Sequence, residues 1–197
     1  MNFRNTDLIE TEKFQYLRIH KNGNWSVVQC IYDSFKKDEI IYTRHLATKK
    51  PRFCVIRDPY ERFISGLRYD LFLNDVDIKD IDVNKLFLSN ENHLRNSMRG
   101  HINHSVSQIP YLMNTQISHY IDIQDLNLFL KMHFQQSKHE HNFTKLCKNK
   151  GKNKKLYDIE KYLNKKDIMK YLHLDYHIYN SIKASPFLWE WQHGRIF

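Results

Sequence analysis

The chain has 197 residues, 41% of them hydrophobic, and a formal net charge of +9. That length and apolar content fit one folded domain with a real core and exclude a disordered polyelectrolyte. No apolar run approaches the length of a membrane span, and the polar start MNFRNTDLIETEKF is unlike a secretory signal, so a cytoplasmic protein is expected. The positive charge predicts affinity for a polyanion.

In chain order, residues 1–14 read as a loosely attached lead-in. Tyr16–His20 is a predicted strand, Lys21–Ser26 a loop, and Val27, Val28, Ile31, Tyr32 and Phe35 the buried face of a helix. A loop carrying a lysine, a glycine and a hydroxyl at a helix N-terminus suits an anion, because free amides and the positive end of the helix dipole converge there. It is not a Walker A loop, since GxxxxGK[ST] is absent and the lysine precedes the glycine. Ile40–His45 is a predicted second strand.

Phe53–Ile56 follows as a continuous apolar run, the pattern of a strand covered on both faces. Asp58 suits a helix N-cap, Pro59 the first helical position and Glu61 the capping-box carboxylate. Tyr60, Phe63, Ile64, Leu67 and Leu71 then recur at helical spacing. This puts Arg57 at the carboxyl end of a strand, where ligands bind in open α/β sheets. Downstream, 74–82 is turn-like, 83–88 starts a helical stretch, and 97–108 is an irregular loop. Ile117–Ile123 is a predicted strand and Leu126–Phe134 a helix. The basic run 145–155 is a loop, and Ile159–Ile182 is helical. The tail PFLWEWQHGRIF is aromatic enough to be expected to pack back onto the domain or meet a partner. Cys30, Cys54 and Cys147 are odd in number and widely spaced, which favours buried free thiols over bridges.

YLRIHKNGNWSV followed by FCVIRDPYERFISGL resembles the sulfotransferase superfamily, in particular its carbohydrate O-sulfotransferase branch. Arg57, Asp58, Pro59, Arg62 and Ser65 match that family's R-[DE]-P-x-x-R-x-x-S pattern in full. The first loop departs from the family's Pro-Lys and small-residue run. His20 replaces the proline and Asn24-Trp25 the small residues, while Lys21, Gly23 and Ser26 are kept. HSVSQIPYL, YIDIQDL, Asn142–Thr144 and Tyr171–Tyr179 are weaker echoes, and Gln124 stands where the family has glutamate.

The resemblance implies an α/β fold with a P-loop-NTPase-like parallel sheet flanked by helices. It also implies a co-substrate, 3′-phosphoadenosine 5′-phosphosulfate, and no metal. The loop Lys21, Asn22, Gly23, Asn24, Trp25 and Ser26 would cradle the 5′-phosphosulfate, and Arg57 with Ser65 the 3′-phosphate. Lys21 would meet the charge on the leaving group. The acceptor would be a hydroxyl of a saccharide or other small molecule, and nucleic acid is an unlikely partner. A hydroxyl acceptor needs a general base, for which histidine suits neutral pH. His45 is the first candidate, with His101 and His104 as rivals. His133, His139 and His141 lack a convincing further ligand for a metal site. The alternative is a noncatalytic protein that keeps the fold and binds a polyanion or nucleotide. A P-loop kinase is disfavoured by the missing Walker A loop.

Overall fold

The structure, a computed structural model, describes residues 8–43, 49–74, 77–80, 107–109, 112, 116–134, 159–190 and 194–197. Within them the fold is mixed α/β. Five strands, β1 (Leu8–Glu10), β2 (Gln15–Leu17), β3 (Ile41–Thr43), β4 (Arg52–Ile56) and β5 (His119–Asp122), form one sheet in the order β3-β1-β2-β4-β5. The principal helices are α1 (Asn24–Ser34), α2 (Pro59–Asn74), α3 (Leu126–His133), α4 (Lys165–Tyr171) and α5 (His173–Lys183).

The expected parallel sheet holds for β2, β4 and β5 only. β1 runs antiparallel to both β2 and β3, so the sheet is mixed. From Leu8 on, the lead-in is therefore part of the sheet, because Leu8 and Ile9 are buried between two other strands. The Thr11 hydroxyl closes the β1–β2 turn by accepting from the amides of Lys13 and Phe14, both at 3.3 Å. Lys50 then donates to Glu10 at 2.6 Å from beyond β3.

β4 is buried along its whole length, and its side chains alternate between two cores. On one face Phe53 and Val55 join Ile9, Tyr16 and Ile121 beneath Val27 and Ile31 of α1 and Leu126, Phe129 and Leu130 of α3. On the other, Cys54 and Ile56 join Leu8 and Leu17 against Ile182, Ile178 and Tyr179 of α5. The apolar stripe of α2, Phe63, Ile64, Leu67 and Leu71, packs on Ile159, Ile168 and Leu172 as a third cluster. Cys30 faces the first core and Cys54 the second. Both are free, and burial pushes the Cys30 thiol up to about 12 and the Cys54 thiol higher still.

The stretch expected as one helix from Ile159 to Ile182 is three pieces: a 3₁₀ turn (Ile159–Tyr162), α4 and α5. Asn164 restarts the helix by accepting from the Lys166 amide at 3.0 Å, a side-chain N-cap inside the apolar periodicity. The tail packs back. The Trp189 amide donates to the Tyr120 carbonyl and the Tyr120 amide to the Phe187 carbonyl, both at 2.8 Å, extending the sheet past β5, and the Trp189 indole is fully buried. Phe197 stacks beside Phe14 with ring centroids 4.3 Å apart. His133 ties this segment down: its Nδ1–H donates to the Phe129 carbonyl and its Nε2 accepts the Ile196 amide, both at 2.9 Å.

Candidate functional site

The chain leaves β2 through α1 toward β3 on one side of the sheet, and leaves β4 through α2 toward β5 on the other. The adjacent carboxyl ends of β2 and β4 therefore form a topological switch point, the usual ligand crevice of such sheets. The Lys21–Ser26 segment and Arg57 both lie at this point.

After Ile19 the chain turns sharply. The Asn22 amide donates to the Ile19 carbonyl at 3.2 Å, and Lys21 and Gly23 take the left-handed conformation, with φ of 66° and 75°. A left-handed residue at the third position of such a turn is the type II pattern, which glycine or asparagine usually fills. Here a lysine does. Helix α1 begins at Asn24, so the predicted loop is three residues shorter than expected. Asn24, Trp25 and Ser26 are the first three helical residues, and no side chain caps the helix at Gly23. Their amides sit where an α-helix has no internal partners, at the positive end of its dipole. Gly23 is required twice over: by its φ, and because a Cβ there would stand 2.6 Å from the Leu126 Cδ2.

The side chains of this segment divide. Asn22 is fully buried, and its Nδ2 donates to the Val55 carbonyl at 2.8 Å and to Gln108 at 3.2 Å. It is a strut between the turn and β4. Asn24 accepts from the buried Tyr16 hydroxyl at 2.6 Å. Ser26 is buried, while Trp25 is 67% exposed.

The β4–α2 turn closes over the same place. Asp58 caps α2 by accepting from the Glu61 amide at 3.0 Å, and the helix starts at Pro59, as expected. Tyr176 of α5 donates to the two oxygens of that carboxylate at 3.1 and 3.0 Å. Burial and this contact push its phenol up to about 12. Arg57 reaches back to the Lys21 carbonyl through Nη1 at 3.4 Å, while its Nε and Nη2 face Glu61 at 3.3 Å. Arg62, buried to 1% exposure, donates from Nε to the His20 carbonyl at 3.2 Å. Neither charge nor spacing marks this contact, because its acceptor is a backbone carbonyl of the other turn.

The Lys21 side chain lies on α2. Its Nζ is 3.4 Å from the centroid of the Tyr69 ring. Burial depresses its pKa to about 8; Asp70 opposes that shift and Arg57 adds to it. Residues 62, 65 and 69 fall on one stripe of α2, so half-buried Ser65 occupies the stripe whose other two members touch the His20–Lys21 turn. Asp122, at the end of β5, completes the rim. It is buried and accepts from the Gln124 amide at 2.9 Å, Tyr179 at 3.2 Å and Lys183 at 2.7 Å.

The structure thus brings together Lys21, Gly23, the amides of Asn24 to Ser26, and Arg57, with Ser65 on the adjoining stripe. His45, His101 and His104 lie outside the described residues. β3 ends at Thr43 and runs in the direction of β4, but with β1 and β2 between them. Three strand spacings, about 14 Å, separate the two. Among the described residues no group of His, Cys, Asp or Glu could hold a metal ion, and no helix is long and apolar enough to cross a membrane. No family model, curated protein or solved structure matches the chain.

Proposed function

We propose that this chain is a sulfotransferase of the P-loop-like α/β kind. It would move a sulfuryl group from 3′-phosphoadenosine 5′-phosphosulfate to a hydroxyl of a saccharide or small molecule. One observation carries the reading. Two anion-suited turns, the Lys21–Ser26 segment and the Arg57 turn, meet at the carboxyl ends of neighbouring parallel strands, with Arg57 touching the Lys21 carbonyl. The family-like R-D-P-x-x-R-x-x-S motif then acquires a physical sense. Asp58 and Pro59 start the helix, Arg62 anchors it to the first turn, and Arg57, which would exchange Glu61 for the ligand, would hold a phosphate with Ser65.

In the transfer, the acceptor oxygen forms a bond to sulfur as the bond from sulfur to the bridging phosphate oxygen breaks. The acceptor proton goes to a base, for which His45 is the proposed residue. Charge grows on the departing 5′-phosphate. Lys21 and the uncapped first-turn amides would meet that charge, a role that preorganised donors fill without a metal.

One observation favours a noncatalytic nucleotide- or polyanion-binding protein instead. The two principal cations already face internal partners, Lys21 at Tyr69 and Arg57 at Glu61. Calorimetry with adenosine 3′,5′-bisphosphate in the absence of magnesium tests donor-site binding, which both readings allow. Turnover of labelled donor with a panel of glycans and metabolites tests the transferase. Binding without turnover selects the second reading, and no binding removes the transferase.

A further inference from the structure

The first loop supplies Lys21, but nothing in that loop holds its side chain. A lysine ammonium on a four-carbon stem has many rotamers, and a group that must meet a developing charge works best when its place is set beforehand. The fixing element is on α2. The Lys21 Nζ stands 3.4 Å from the centroid of the Tyr69 ring, well inside cation–π range. Arg62, two turns earlier on the same stripe, grips the His20 carbonyl. One helix face therefore holds both the backbone and the side chain of the turn.

We infer that Tyr69 is a positioning residue for Lys21, fixing its ammonium on the face of α2 so that it meets the leaving group from one direction. This rests on the reading of Lys21 as the transfer lysine. The charged and titratable groups around Lys21 are Asp70 and Tyr69 on α2 and Arg57 at the end of β4, with Glu61 behind Arg57. Burial has the largest effect on the ammonium, and it leaves Lys21 a better proton donor near neutral pH than an ordinary lysine. Taking the ring away removes the cation–π contact and loosens the position of the ammonium.

The test uses the full chain with Tyr69→Ala and Tyr69→Phe. Tyr69 is 39% exposed, so neither change opens a core cavity. The donor is 3′-phosphoadenosine 5′-phosphosulfate and the binding probe is adenosine 3′,5′-bisphosphate. Tyr69→Ala is expected to lose turnover by about tenfold or more, as misplacement of a reacting group does, with much less loss of affinity for the probe. Tyr69→Phe, which keeps the ring, restores turnover. A merely structural role would lower affinity for the probe together with turnover, and Tyr69→Phe would not rescue it.

The proposal is overturned if Tyr69→Ala turns over like wild type, if probe affinity falls as far as turnover, or if Tyr69→Phe behaves like Tyr69→Ala. A ligand-free arm separates this from failure of the functional reading. In the wild type the Lys21 ε-methylene proton resonance should be shifted upfield by the Tyr69 ring. That shift should vanish in Tyr69→Ala. If it is present while no donor is turned over, the sulfotransferase reading fails and the hold of Tyr69 on Lys21 stands. If it is absent, the hold itself is refuted.

Discussion

Replacing Gly23 with alanine tests how the first turn is built. The residue sits at φ 75°, a conformation that costs an L-residue roughly 1–2 kcal/mol. The added Cβ also arrives 2.6 Å from the Leu126 Cδ2, far inside contact distance. Leu126 is itself buried in the core beneath Phe129 and Leu130, so it moves only by disturbing them, an overpacking penalty of about 1–3 kcal/mol. Together the loss should be about 2–5 kcal/mol, read as a lower denaturant midpoint with an unchanged slope. The Leu126→Ala background separates the two parts. That change alone costs about 2–5 kcal/mol as a cavity. It also removes the clash, so the double variant should be more stable than additivity predicts by about 1–3 kcal/mol. Strict additivity would refute the contact, and a loss under about 0.5 kcal/mol for Gly23→Ala would refute the strained turn as well.

Arg57→Ala should weaken adenosine 3′,5′-bisphosphate binding by about 1.5–3 kcal/mol, measured by calorimetry; equal affinity would remove Arg57 from the site. Lys21→Ala should depress turnover far more than probe affinity, because leaving-group charge is greatest in the transition state. His133 is held neutral: burial lowers its pKa from 6.5, Arg195 and His119 add to this, and the Phe129 carbonyl opposes it. Its unfolded form therefore binds a proton more readily, so stability is complete above about 6.5 and declines as pH falls from there toward the lower folded value. Denaturation midpoints between pH 5 and 8 should show this decline in wild type and less of it in His133→Gln, and identical profiles would dismiss the histidine.

The parts of the fold legible in sequence are those written in adjacent residues. Phe53–Ile56 is a buried run and became β4. Asp58 and Pro59 announced the start of α2, and Phe63, Ile64, Leu67 and Leu71 announced its buried stripe. β1 was missed because three residues carry no readable alternation, and its place is decided by pairing with Leu17 and Thr43. The switch point followed from strand order, which two strand–turn–helix signatures suggest but do not determine. Less legible still was what holds the site. Tyr69 meets a side chain 48 positions earlier in the sequence, and Asn22 bonds Gln108 across 86 positions. The left-handed Lys21 breaks the usual preference for glycine or asparagine at such a place, so no local pattern marks it.

The two buried thiols make the sheet its own recorder of opening. Cys30 belongs to the layer under α1 and α3, and Cys54 to the layer under α5, with β4 separating them. Neither can react while its layer is shut, since a thiol pushed so far up has almost no thiolate at neutral pH and no path to reagent. In a Cys147→Ser background, labelling in native buffer therefore counts excursions, one face per cysteine. Equal rates would mean that the layers part only when the whole sheet comes undone. A faster Cys30 would mean that α1, and with it the first-turn amides beside Gly23, lifts away while the α5 side stays closed.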